Sequence, residues 1–576
     1  PTTGLGNHFV RSGSIISTSD SPTNSDDGYG NYATLNPLQL PISTSGNNIT
    51  LSNGNLTASN PSSPAQDVTP TARTTFGYST GMRYYEFTCD LVASSLRMEL
   101  GAFKRDAQDA TNQTLSGGNS GFGVVWNSGL TVYSNGSSVF TAGSDNLANA
   151  DVVGIAHDAD SGKLWVRLNG TYENSGDPDA GTGEVATIAT GDVFLPALYI
   201  NNGNISEQKV TINVGLTAYA NTAPTAAIPL HTGNMATPAI INPADHFHSE
   251  VVTHNGTSTA STCSFDLDLN EWYCRIKNTT GAVEVWYHKC SLMGITKHFT
   301  NGTGAETTDA NVMSVSGTGF TLLSTLGAKN YLVEFEKLGL VADTASNTDG
   351  TINTTSTSVN TTNGTSVSLY VGNLTNATVG HGLGVVPDMS AVKRLSGGTG
   401  GYYVLHKDMT SAGYYLDMVT TVAQSPLASA WNSTFQTSSV MNIGSHEGWN
   451  SSGDTFFTIS RVGVESYSAF GSYEGNANND GPMLNLGFAP NRIFMKAIDA
   501  AWGWPNFGPS QGGNPIGTVY YNTTGIEGAS GVVDIVSNGT KIRDSGNNAN
   551  VASTLIYGAW GGQPMTDGSV DQSRAR

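Results

Sequence analysis

Trp502 and Trp504 stand beside Gly503 and Pro505 in residues 501–507 (AWGWPNF). Flat indole faces in a segment bounded by Gly and Pro are what a sugar ring stacks on, and such a segment is expected to be irregular and exposed. An earlier segment carries Gly401, Tyr402 and Tyr403 at the corresponding place. Ligand contact by these aromatics is one reading; packing against a neighbouring module or subunit is the other.

Other chemistry-bearing residues are less well placed. Asp158, Asp160 and Gly162 resemble the start of a calcium loop, but Asn169 stands where an EF-hand needs a bidentate Glu, so a hairpin turn is expected. His246 and His248 alternate onto one side of an extended segment, as a half-solvated strand edge would have them. The four cysteines, Cys89, Cys263, Cys274 and Cys290, form no Cys-x-x-Cys pair and have no convincing fourth zinc ligand. They are expected to be buried reduced thiols. Gly-x-Ser-x-Gly, the Walker-type phosphate loop and His-Glu-x-x-His do not occur. The expectation is no enzyme, no catalytic residue, no metal site and no cofactor.

The elements that must position these residues are strands. Short alternating or β-branched runs bounded by Gly, Asn and Asp recur, for example residues 83–89 (RYYEFTC), 121–126 (GFGVVW), 163–168 (KLWVRL), 331–335 (YLVEF), 455–460 (TFFTIS) and 554–559 (TLIYGA). Asn-Gly at Asn135, Asn169, Asn363 and Asn538 supplies positive-φ hairpin turns. A helical period is hard to find. The expected fold class is all-β, with several β-sandwich-like domains in series in an elongated chain.

With 576 residues the chain is long enough for several domains. Charged residues make up only 12% and Gly supplies 69 positions, so its surface is polar but largely uncharged. Lys and Arg number 25 against 45 Asp and Glu, a net charge of −20 that repels nucleic acid and anionic lipid alike. No run approaches the ~20 apolar residues of a membrane span, so no membrane insertion is expected.

Internal repetition organises the second half. Residues 370–394 (YVGNLTNATVGHGLGVVPDMSAVKR) and 473–497 (YEGNANNDGPMLNLGFAPNRIFMKA) both run from aromatic-x-Gly-Asn through Gly-x-x-Pro to a strand carrying Lys393 or Lys496. A weaker copy starting at Val251 places Lys277 equivalently but lacks Gly-x-x-Pro in 263–272. A spacing of about 100 residues is too long for a solenoid rung, so the copies are expected to be successive whole domains in a rod or stack. The domain reading is an N-terminal leader or attachment segment at 1–70, a sandwich at 71–216, a linker at 217–248, β-modules at 249–341, 368–466 and 467–564, a polar linker or solvated edge at 342–367 and a polar tail at 565–576.

Residues 70–216 resemble a SPRY domain, carried by 83–87 (RYYEF), 121–126, 151–176 (DVVGIAHDADSGKLWVRLNGTYENSG) and 210–215 (VTINVG). The repeats and residues 30–37 (GNYATLNP) resemble modules of marine and cyanobacterial bacteriophage tail fibre proteins, carried by 245–253 (DHFHSEVVT), 468–475 (SAFGSYEG), 481–488 (GPMLNLGF) and 537–543 (SNGTKIR). The resemblance implies a virion appendage, usually a homotrimer, joined to other virion proteins by its N-terminal region. It also implies non-enzymatic binding of a host surface glycan or protein by the C-terminal part. Trp502 and Trp504 are then the leading contacts, with Tyr402 and Tyr403 beside them and a loop face around Trp126 and Tyr133 as the alternative surface. The other functional readings are a capsid or tail decoration protein without receptor binding and a polysaccharide-degrading tailspike.

Overall fold

The computed structural model describes residues 31–40, 49–60, 71–92, 97–105, 114–117, 121–126, 129–143, 147–200, 207–528, 531–546 and 548–566. The chain is all-β, with antiparallel pairing throughout its named sheets. Glu447–Asn450 is the only α-helix among the described residues. Two compact units result, the first ending near Met235 and the second beginning at Ala236.

The first unit is a two-sheet sandwich. One sheet runs Thr50–Ser52, Thr57–Asn60, Gln208–Asn213, Met82–Leu91, Val152–Asp158, Lys163–Leu168 and Thr171–Tyr172, with Ala186–Thr187 as a further partner of Lys163–Leu168. The other runs Thr71–Arg73, Phe194–Ile200, Met98–Lys104, Gly121–Trp126, Leu130–Ser134 and Ser137–Ala142. His157 of the first sheet packs edge-on against Phe122 and Phe194 of the second, which places the core between them.

Alternation along Lys163–Leu168 sends Leu164 and Trp165 to opposite faces, yet both are buried. The outer face is covered because residues 217–227 lie across it. The Tyr219 hydroxyl donates to Tyr84 O at 2.8 Å, and Ala220 N–H donates to Glu86 Oε2 at 2.7 Å. This corrects two boundaries. The first part of the expected 217–248 linker is an integral cover of the sandwich. Of the expected 1–70 leader, Thr50–Ser52 and Thr57–Asn60 are sheet strands, and Leu35 is buried against Thr74. Residues 1–30 lie outside the described residues.

The second unit contains the three repeats. Each builds a main sheet with the same inner order: an entry strand, a closing strand, the lysine-bearing strand and a return strand. These are Phe247–Thr253, Asn330–Leu340, Asn270–Asn278 and Tyr287–Cys290 in the first repeat. In the second they are Thr365–Val371, Thr455–Arg461, Met389–Arg394 and Tyr402–His406, and in the third Ala469–Glu474, Thr554–Trp560, Arg492–Ala497 and Pro505–Phe507.

The lysine strands are buried along almost their whole length, so both of their faces must be covered. One face packs into its own repeat: Cys274 and Ile276 meet Phe320 and Leu322, and Ile493 and Met495 meet Leu484 and Ile542. The other face enters a cluster common to all three repeats, which includes Tyr273, Phe299, Tyr402, Phe457, Phe494 and Trp560. The repeats follow one another along the chain as expected, but they close on a shared core instead of standing as a rod or stack of separate domains.

Of the two readings of the polar interval 342–367, linker or solvated edge, the linker does not fit. Ser356–Asn360 pairs with Thr365–Val371 at the edge of the seven-stranded sheet. Few apolar residues are needed because hydroxyls satisfy one another: Thr357 Oγ1 lies 2.8 Å from Thr354 Oγ1 and 2.9 Å from Ser368 Oγ.

Candidate functional site

Each lysine strand carries its lysine inward and at full burial. A buried ammonium must find acceptors. Lys393 Nζ donates to Gly400 O of its own repeat at 2.7 Å and to Gly302 O of the first repeat at 2.8 Å. Lys496 Nζ donates to Trp502 O at 2.6 Å and to Thr421 O of the second repeat at 3.0 Å. Lys277 Nζ donates to Asn278 Oδ1 at 3.1 Å, to Glu284 O, and to Thr524 O of the third repeat at 2.9 Å. Every lysine therefore ties its own return loop to the preceding repeat, and the three ties close a ring. Burial lowers all three ammonium groups to a pKa of about 8.

An aromatic ring accompanies each tie. Register places Tyr402 directly opposite Lys393. Continuing the pairing of the other two hairpins puts Trp286 and Trp504 at the matching positions. Trp286 Nε1 donates to Tyr520 O at 2.9 Å and Trp504 Nε1 to Asp417 O at 3.1 Å, again across repeats.

The closing strands bring three further equivalent positions together. Glu336, Arg461 and Trp560 pair with Tyr273, Met389 and Arg492, respectively. Arg461 Nε donates to Glu336 Oε1 at 3.0 Å, and its guanidinium lies 4.9 Å from the Trp560 ring centroid. Arg275 covers the same indole at 5.0 Å and pairs with Glu334 at 3.3 Å, and Arg492 also pairs with Glu334. Burial pushes the Glu336 carboxyl upward, but Arg461, together with Arg275 and the Thr365 hydroxyl, more than offsets it and leaves the pKa below the usual value. Burial drives the His288 imidazole well below its usual pKa, aided by Arg275 and Lys393.

The sequence candidates divide by burial. Trp504 and Tyr402 were expected in an exposed segment. Both are instead buried: Tyr402 opens the strand Tyr402–His406, and Trp504 sits in irregular backbone just before Pro505–Phe507, each turned inward opposite a lysine. Tyr403 points the other way, is half-buried, and stacks on Trp449 at 4.2 Å with the rings 6° apart. Trp502 alone keeps substantial exposure, at 36%, beside a seam where Val422 is 52% exposed.

In the first unit, Trp126 is buried at the end of Gly121–Trp126, and Tyr133 is half-buried within Leu130–Ser134. The expected loop face there is therefore made of strands. Asp158 closes a turn, accepting from Asp160 N at 3.2 Å, while Gly162 N donates to Asp158 O at 2.7 Å. His248 pairs with Glu250 at 3.2 Å, and His246 lies against Tyr467. All four cysteines are buried free thiols. Among the described residues no three His, Cys, Asp or Glu side chains gather as metal ligands would.

Sequence reading missed Trp286, Tyr521 and the buried Arg and Glu residues. A signal existed for Trp286: an aromatic residue follows each repeat lysine at nearly the same distance.

No curated protein matches the chain. Among solved structures it is similar to the TRIM65 PSpry domain, at 12% identity and TM-score 0.22, over 31% of this chain and 89% of that one. It is similar to the SPRY domain of human HERC1, at 11% identity and TM-score 0.23, over 31% of this chain and 96% of that one. Stonustoxin matches at 11% identity and TM-score 0.23, over 32% of this chain and 29% of that one. Residues 242–564, more than half of the chain and all three interlocked repeats, match the model of the domain of unknown function DUF7483, and the chain belongs to that family.

Proposed function

We propose that the chain is a structural fibre subunit of a phage virion that binds a host surface glycan or protein without catalysing a reaction. The observation that carries this reading is the use made of the perturbed cations. Lys277, Lys393 and Lys496 are turned inward onto main-chain carbonyl oxygens and act as fasteners between repeats. A scaffold braced in this way holds its outer loops in fixed relation, which suits repeated weak contacts made together. The sequence resemblance of the repeats to tail fibre modules supplies the virion setting. Self-association into a homotrimer and attachment through the N-terminal region belong to the same proposal.

Trp502 is the contact that the geometry favours, since Trp504 and Tyr402 are committed to the core. The test is binding of the purified protein to host cells, comparing the native chain with Trp502→Ala. Binding reduced at unchanged melting temperature supports the reading, and retained binding removes Trp502 from it. Virions whose C-terminus is labelled show whether the chain projects from the particle. Release of oligosaccharide from host capsule would overturn the non-enzymatic part.

A further inference from the structure

At the centre of the three repeats lies a cavity of about 20 Å³, room for roughly one water-sized particle. Every repeat contributes to its wall, and every lining residue is buried. Its polar lining consists of Tyr273, Arg275, His288, Tyr402, Arg461 and Tyr521, with no carboxylate among the lining residues. Glu334 and Glu336, which balance the arginines, lie outside the wall.

Two guanidinium groups, Arg275 and Arg461, reach the wall and no carboxylate does. Behind the wall Arg275, Arg461 and Arg492 pair with Glu334 and Glu336. Lys393, which also acts on His288, has Asp417 as its counter-charge, and Glu527 acts on Arg492 from the far side. His288 adds no negative charge in either of its protonation states.

Donors are also left over. Arg275 Nη1 donates to the Tyr521 hydroxyl at 2.9 Å, while Arg275 Nη2 is buried with no hydrogen-bond partner among the described residues. A hydroxyl that accepts from a guanidinium still has its own proton to give.

We propose that this cavity is a binding site for one monatomic anion, chloride or a halide of similar size, held by Arg275 and the Tyr521 hydroxyl at the meeting point of the three repeats. Guanidinium groups on the wall with no carboxylate beside them, and unspent donors, select an anion over a cation, and the volume excludes sulfate and phosphate. The bound ion touches all three repeats at once and so fastens them from the centre, as the lysines do from the periphery.

The test uses the full chain. Crystals soaked in sodium bromide are expected to show an anomalous peak within hydrogen-bond reach of Arg275. In solution, melting temperature is expected to rise and saturate with sodium chloride but not with sodium gluconate at equal ionic strength, as binding to the native state alone requires. Tyr521→Phe keeps the ring and removes one donor, and it is expected to raise the half-saturating chloride concentration about tenfold. A cavity without bromide, or melting that responds equally to chloride and gluconate, overturns the proposal.

Discussion

The two units bury charge to different ends. In the first, Glu86 accepts from the Tyr84 hydroxyl at 2.6 Å, from Ala220 N at 2.7 Å and from Asn221 N at 3.0 Å, with Arg167 at 3.5 Å. All of these belong to one sandwich and the strap across it, so the charge pins a cover. In the second unit Glu336 meets Arg461 and Glu334 meets Arg492, partners drawn from different repeats. There the charge decides which sheets come together. The local pair is backed by neighbouring main-chain donors, whereas the pairs between repeats are backed by side chains, the Thr365 hydroxyl on Glu336 at 2.8 Å and Arg275 on Glu334 at 3.3 Å.

The largest expected losses follow from that difference. Arg461→Met leaves Glu336 buried without its main partner and is expected to cost about 3–5 kcal/mol in denaturant unfolding. Arg167→Met is expected to cost about 2 kcal/mol, because Glu86 retains its hydroxyl and main-chain donors. Equal losses would erase the contrast. Arg461→Met combined with Glu336→Leu should recover much of the deficit, since removing both charges also removes the desolvation problem. Trp504→Ala belongs in the same range, about 3–5 kcal/mol, as the loss of a fully buried ring.

Acid should separate the units next. Burial holds His406 at about 3 and His157 at about 4, both below the ordinary value, and lowers His288, His298 and His381 as well. A depressed folded-state pKa means that the unfolded chain takes up protons first. Stability is therefore complete above about pH 6.5 and is lost as pH falls towards 4, by about 1.4 kcal/mol per unit of depression. His157 is in the first unit and the other four are in the second, so the second is expected to unfold at higher pH. Calorimetry between pH 7 and 4 should resolve two transitions that move apart, and a common shift would count against this assignment.

Smaller effects test the ring. Lys393→Met and Lys496→Met are each expected to cost about 2 kcal/mol through orphaned carbonyl groups, and Lys277→Met more, because its ammonium has three acceptors. Hydrogen exchange should show loosening in the repeat that accepts the bond as well as in the one that donates it. Loosening confined to the donor repeat would mean that the ties are local. Trp502→Ala should change stability by no more than about 0.5 kcal/mol, because the side chain is exposed and the Lys496 tie uses the main-chain carbonyl, which the substitution keeps.

Much of the secondary structure was legible because alternation has a period of two and turns have their own chemistry. Residues 163–168 and 455–460 are strands for that reason. Polarity left the interval 342–367 open between a linker and a solvated edge. Residues 356–360 (STSVN) have one large apolar side chain, yet β-branching and paired hydroxyls suffice to hold an edge strand. At Trp504 the flanking Gly and Pro do mark irregular backbone, but the expected exposure failed because the ring turns into the core.

The sequence by itself determined that the chain is all-β, that three related segments occupy its second half, and that each carries a lysine on a strand. Those are properties of short windows, set by alternation, turn residues and repetition. Only the tertiary structure decided that the three lysines form a ring, that Glu336, Arg461 and Trp560 meet, and that the repeats share one core. The reason is distance along the chain: Lys277 bonds a carbonyl 247 residues away, and Arg461 meets Glu336 across 125. An inward-facing charge announces in sequence that it needs a partner, but which repeat supplies that partner depends on how whole sheets pack.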